Sequence, residues 1–115
     1  MRLLAAYLPL VLWAVMVLGL GTLQMSSVAV PGDWDKLAHF LMYGTGGAIA
    51  AWTGRVRGAR EGVLAFLFVL LTGLADELHQ ATLPRRNADL LDWIADAVGA
   101  GMFYLVVHRL LRRRE

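Results

Sequence analysis

The stretch "GLADELHQATLPRRNADLLDWIAD" (Gly73 to Asp96) places five carboxylates, two arginines and a histidine in the middle of an otherwise apolar chain. On either side the residues are suited to hydrocarbon. Val63 to Thr72 carries no charge, and neither does Ala97 to Val107. Polar groups at the end of one apolar segment, a tight turn, and polar groups at the start of the next describe a helical hairpin with charge concentrated at one end. How this hairpin is read decides the fold of the whole chain.

Composition supports a membrane reading. The 115 residues are 58% hydrophobic and 17% charged, with three prolines, more apolar surface than a water-soluble domain of this size can hide. Four apolar spans are predicted, at about residues 3–23, 37–53, 63–83 and 90–108, each near the roughly 20 residues that cross a 30 Å hydrocarbon core. They form a single domain over residues 1–115, an all-α four-helix transmembrane bundle. The first span, about 21 residues, exceeds the roughly 7–15 residues of a signal-peptide core, so it is read as a retained helix. Pro9 lies inside it and should kink it.

Basic residues in short loops stay on the cytoplasmic side. Arg2, Arg55, Arg57, Arg60, Arg109 and Arg112 to Arg114 fall on one side, eight residues, against Lys36, Arg85 and Arg86 on the other. Both termini are therefore expected in the cytoplasm. The outer side then holds Asp33, Asp35, Asp76, Glu77, Asp89, Asp92 and Asp96, seven acids against three bases. The basic residues cluster at helix ends without interleaved aromatics, which excludes a nucleic-acid surface. The absence of cysteine removes disulfides and thiolate ligands. No Gly-rich phosphate loop and no Ser-His-Asp order supports covalent catalysis.

Helical geometry brings the polar residues together. At 100° per residue, Asp35, Lys36, His39 and Tyr43 share an arc of about 100° on the second span, and Asp76, Glu77 and Gln80 share a face of the third. Asp89, Asp92 and Asp96 form a stripe on the fourth, continued by Gly99. A charge facing lipid costs at least about 2.5–3.5 kcal/mol near the bilayer centre, so these faces turn inward, toward a cavity open to the outer leaflet. Gly44, Gly46, Gly47, Gly73, Gly99 and Gly101 are the small residues that let membrane helices approach. His79 lies outside the polar arc and is read as a rim residue.

Three segments, "DKLAHFLMYG" (Asp35 to Gly44), "DELHQ" (Asp76 to Gln80) and "LPRRNADLLDWIADAVGAG" (Leu83 to Gly101), in this order resemble the VanZ-like family of small bacterial membrane proteins, named for a protein associated with reduced susceptibility to the glycopeptide teicoplanin. The family pattern runs D-K-x-x-H-F-x-x-Y, then D-E-x-x-Q, then a P-G-R turn with Asp and a second Asp three residues on, then Ala-Asn/Asp-x-x-Gly. Arg85 stands where the pattern has glycine, so Arg86 takes the arginine position, and Asp96 stands where Asn or Asp occurs. The resemblance implies a four-helix protein of the bacterial cytoplasmic membrane, acting at its outer surface on or beside a lipid or a lipid-linked envelope precursor. It implies no particular reaction.

Two readings of the cluster stay open. In one, His39, Asp76, Glu77 and Asp92 act as acid, base or ligands, a divalent metal sits on Asp35, His39, Asp76 and Glu77, and Lys36, Tyr43, Gln80, Arg86 and Asp89 hold substrate, the cations by clamping an anionic group. In the other, the same residues form a hydrogen-bonded scaffold and receptor site without catalysis. Asp92→Asn is expected to lose function at normal membrane abundance. Asp96→Asn is expected to be nearly silent.

Overall fold

The computed structural model describes residues 2–23, 32–82 and 90–113. They form four helices, α1 (Arg2–Leu23), α2 (Gly32–Arg57), α3 (Ala59–Ala81) and α4 (Leu90–Arg113), and no strand occurs among them. With 22 to 26 residues each, the helices run roughly 33–39 Å at 1.5 Å per residue. Two stretches, Ala59–His79 and Trp93–Arg113, are long and apolar enough to cross a membrane, and Tyr7–Gly19 of α1 is a shorter apolar stretch. Helix α2 differs in carrying Asp33, Asp35, Lys36, His39, Arg55 and Arg57 along its length.

Helix α2 is longer at both ends than its apolar residues suggest. It begins at Gly32 and runs to Arg57, so the connection left between the predicted spans 37–53 and 63–83 reduces to one residue, Gly58. The reason is local. Gly58 takes a positive φ of 118°, open to a residue without a Cβ, and its N–H donates to the Gly54 carbonyl at 2.8 Å, which closes the helix end from the C′ position. The Gly58 carbonyl then accepts from Gly62 N–H at 3.1 Å and starts α3. Pro9 lies inside α1, which continues through it.

Helix α2 is central, touching α1, α3 and α4 and packing most extensively on α4. It runs parallel to α4, with His39 beside Asp96 and Gly47 beside Ala100. It runs antiparallel to α3, with Gly54 beside Gly62 and Tyr43 beside Asp76. The approach to α4 is backbone to backbone: a Cβ on Gly47 would strike the Ala100 carbonyl, and a Cβ on Gly99 would strike that of Phe40. Gly54 and Gly62 meet in the same way across α2 and α3, with a Cβ on Gly62 only 2.7 Å from Gly54 Cα. Gly46 seats the Trp13 ring of α1, whose indole N–H donates to the Met42 carbonyl at 2.9 Å. Gly101 is a correction to the list of packing glycines, because its nearest neighbour is the Phe66 ring edge at 4.0 Å.

Burial is inverted relative to a water-soluble protein. Large apolar side chains point outward, Val15 at 65% and Leu71 and Leu78 at 62% exposure, while Asp96 at 1%, Asp76 at 2% and His39 at 5% lie inside with Val17, Tyr43 and Val69. Hydroxyls are satisfied within their own helices: Thr53 and Thr72 donate to the Ile49 and Phe68 carbonyls at 2.9 and 2.8 Å, as surroundings without water require.

Candidate functional site

The polar centre is assembled by three helices. His39 and Tyr43 lie one turn apart on α2, Asp76 and Glu77 are adjacent on α3, and Asp96 comes from α4; all five are buried. His39 Nδ1 and Asp96 Oδ1 are 2.7 Å apart, a hydrogen bond between α2 and α4. The Tyr43 hydroxyl donates to Asp76 Oδ2 at 3.5 Å, a long bond linking α2 to α3. The rings are ordered too. Tyr43 stacks near-parallel on His39, centroids 6.3 Å apart, and meets Trp13 edge-on at 5.4 Å. Gly73 of α3 makes room beside them, since a Cβ there would lie 3.1 Å from the Tyr43 ring and 3.2 Å from Asp96 Oδ2.

Three carboxyl groups and one imidazole thus share a small, buried volume. Fully ionised, they would bury a net negative charge, which is costly unless compensated, so balance comes from shared protons, from a basic side chain or from a cation. Asp96 Oδ2 is buried without a hydrogen-bond partner among the described residues.

Of the residues selected from sequence, His39, Tyr43, Asp76 and Glu77 come together here. Asp35, Lys36, Gln80 and Asp92 sit on described helices, but their side chains lie outside the described residues, as do Arg85, Arg86 and Asp89 entirely. The loops that would form the mouth of an outer cavity, residues 24–31 and 83–89, also lie outside them. His79 is exposed.

Asp96, at a family position that accepts Asn, joins the cluster through its 2.7 Å hydrogen bond to His39. The signal was present in the stripe with Gly99: the face that packs a glycine on the Phe40 backbone carries the residue one turn earlier toward His39. Asp96 also changes the metal geometry. His39, Glu77 and Asp96 each offer a ligand atom, all within 4.8 Å of one another. A tetrahedral ion with bonds of roughly 2.0–2.2 Å holds its ligands about 3.4 Å apart, so an ion taking His39 Nδ1 and Asp96 Oδ1 as ligands would move them apart from their 2.7 Å contact and replace that hydrogen bond. The arrangement described is a hydrogen-bonded one.

An all-α bundle with an apolar exterior and a buried His, Tyr and carboxylate centre defines a class of small helical proteins suited to hydrocarbon surroundings. A family model described as VanZ/LLP1 matches residues 4–112, and the chain belongs to this VanZ-like family. No curated protein and no solved structure matches it.

Proposed function

We propose that the protein is a multi-pass protein of the bacterial cytoplasmic membrane, with four spanning helices and both termini cytoplasmic. It acts at the outer face on or beside a cell-envelope lipid or lipid-linked precursor. The observation that carries this reading is the inverted burial: a His39, Asp76, Glu77 and Asp96 centre inside a bundle whose outside is leucine and valine. Intramembrane ionisable groups mark functional sites by default. His39, Asp76 and Glu77, with Asp92, supply acid–base groups or ligands, Tyr43 positions Asp76, and Lys36 and Arg86 offer charge to an anionic headgroup. Membership of the VanZ-like family supports a link to glycopeptide susceptibility.

Orientation is tested first. Reporter fusions after Gly32 and after Arg86 are expected to read as extracytoplasmic, and fusions after Arg57 and at the C-terminus as cytoplasmic. A cytoplasmic signal at Arg86 removes the outer-face reading.

A second reading is favoured by the burial of every described member of the cluster and by the direct bond from α2 to α4: the centre is a scaffold, and the protein binds or shields a lipid or glycopeptide without chemistry. Asp76→Asn separates the two. For a working site, teicoplanin tolerance in an expressing strain, or turnover of an envelope lipid by purified protein, should be lost while membrane abundance stays normal. Function retained at normal abundance supports the scaffold, and so does loss of abundance with loss of function.

A further inference from the structure

At the end of the bundle opposite the His39 centre, the last turns of α2 and α4 and the first turn of α3 enclose a cleft of about 370 Å³, within the usual range for a small-molecule site. Gly54, Arg55, Ala59, Tyr104, His108 and Arg112 line it. Small residues create the space. Gly54 and Gly62 bring α2 and α3 together, and the Tyr104 hydroxyl reaches to 3.2 Å from where a Gly62 Cβ would stand. Tyr104 and His108, one turn apart on α4, stack near-parallel with centroids 6.0 Å apart and form one wall.

The charge around the cleft is predominantly positive. Arg55, Arg57, Arg60, Arg109, Arg112 and Arg113 lie on the described turns at this end, and Glu61 is the one acid among them. Among the described residues, no carboxylate lies within ion-pair distance of Arg112. Ala59, the first residue of α3, lies in the lining. Paired arginines, an imidazole and an aromatic wall suit a phosphate diester: the guanidinium binds its oxygens by two parallel hydrogen bonds, and the ring packs on the glycerol backbone.

We infer that this cleft holds the phosphate headgroup of an anionic membrane lipid between α2 and α4. Charge complementarity and position select that occupant. The cleft opens where a spanning bundle meets the headgroup layer, and Leu111 of its lining with Leu105 beside Tyr104, 54% exposed, offers apolar surface to acyl chains. The inference rests on the membrane reading, which the reporter fusions test separately, and is independent of what the His39 centre does.

Native mass spectrometry of the full chain, purified in detergent and offered phosphatidylglycerol or phosphatidylcholine, tests it. One phosphatidylglycerol per chain is expected to survive detergent stripping. Arg55→Gln and Arg112→Gln should each lower retention about fivefold, the loss anticipated for one basic residue at an anionic headgroup. Arg113→Gln, the same charge change one residue outside the lining, should change retention little. His108→Gln offers a further lining variant should Arg55→Gln disturb the α2 end, and helicity by circular dichroism identifies such a failure. Equal loss with Arg113→Gln would reduce the cleft to general surface charge and overturn the inference. So would equal retention of phosphatidylcholine. Displacement of the lipid by millimolar inorganic phosphate would make the cleft a free-anion site and overturn the lipid assignment.

Discussion

Asp96→Ala is expected to deplete the membrane of folded protein, whereas Asp96→Asn is expected to leave abundance close to normal. Asp96 is 1% exposed, and its Oδ1 lies 2.7 Å from His39 Nδ1. Removing one partner of a buried pair costs about 3–5 kcal/mol, because the other keeps its desolvation penalty and loses its compensation. Against a total stability of about 5–15 kcal/mol this is a large fraction. The bond also joins α2 to α4, so its loss acts on the interface that organises the bundle. Asparagine keeps an oxygen facing His39. Its amide nitrogen would occupy the position of Oδ2, which has no hydrogen-bond partner among the described residues, and an unsatisfied donor costs about 1–3 kcal/mol. Removing a carboxylate from a crowded acidic centre offsets part of that cost, which agrees with the near-silent effect expected from a family position that accepts Asn. Membrane abundance and the thermal aggregation midpoint in detergent measure both variants. An Asp96→Ala protein unchanged in both would show that the pair is not what holds α2 to α4.

The second large effect is expected from a single methyl group. In Gly47→Ala, the new Cβ would overlap the Ala100 carbonyl oxygen. That obstacle is backbone and cannot rotate away, so α2 and α4 must separate. Separation opens the matching contact of Gly99 with the Phe40 backbone and lengthens the His39–Asp96 bond. Overpacking of this kind costs about 1–3 kcal/mol and more where backbone has to move. Gly101→Ala is the control. Its Cβ would meet only the Phe66 ring edge at 4.0 Å, and alanine in a helix interior gains about 0.5–1 kcal/mol over glycine. The unfolding midpoint in detergent should fall clearly for Gly47→Ala and stay level or rise for Gly101→Ala. Equal midpoints for the two would contradict the close crossing of α2 and α4.

Much of this arrangement is legible in the linear chain because helical periodicity is regular. Counting 100° per residue puts His39 and Tyr43 on one face of α2 and Asp76 and Glu77 on one face of α3, and the structure buries all four. Helix ends were less legible. The predicted apolar span stops at residue 53, but a helix ends where its backbone is capped, and Gly58 provides the cap five residues later.

The sequence by itself determined four helices, an apolar exterior and the faces on which the polar groups lie, because each follows from spacing along one helix. Only the tertiary structure decided which groups touch. Asp96 lies on a polar stripe of α4, and periodicity cannot say that it reaches His39 or at what distance. That depends on how closely α2 and α4 cross and in what register. The crossing is set by Gly47 against the Ala100 carbonyl and Gly99 against that of Phe40, with residue 39 level with residue 96. Contacts of this kind form between segments 57 positions apart in the chain, and no local pattern of residues encodes a distance across that separation.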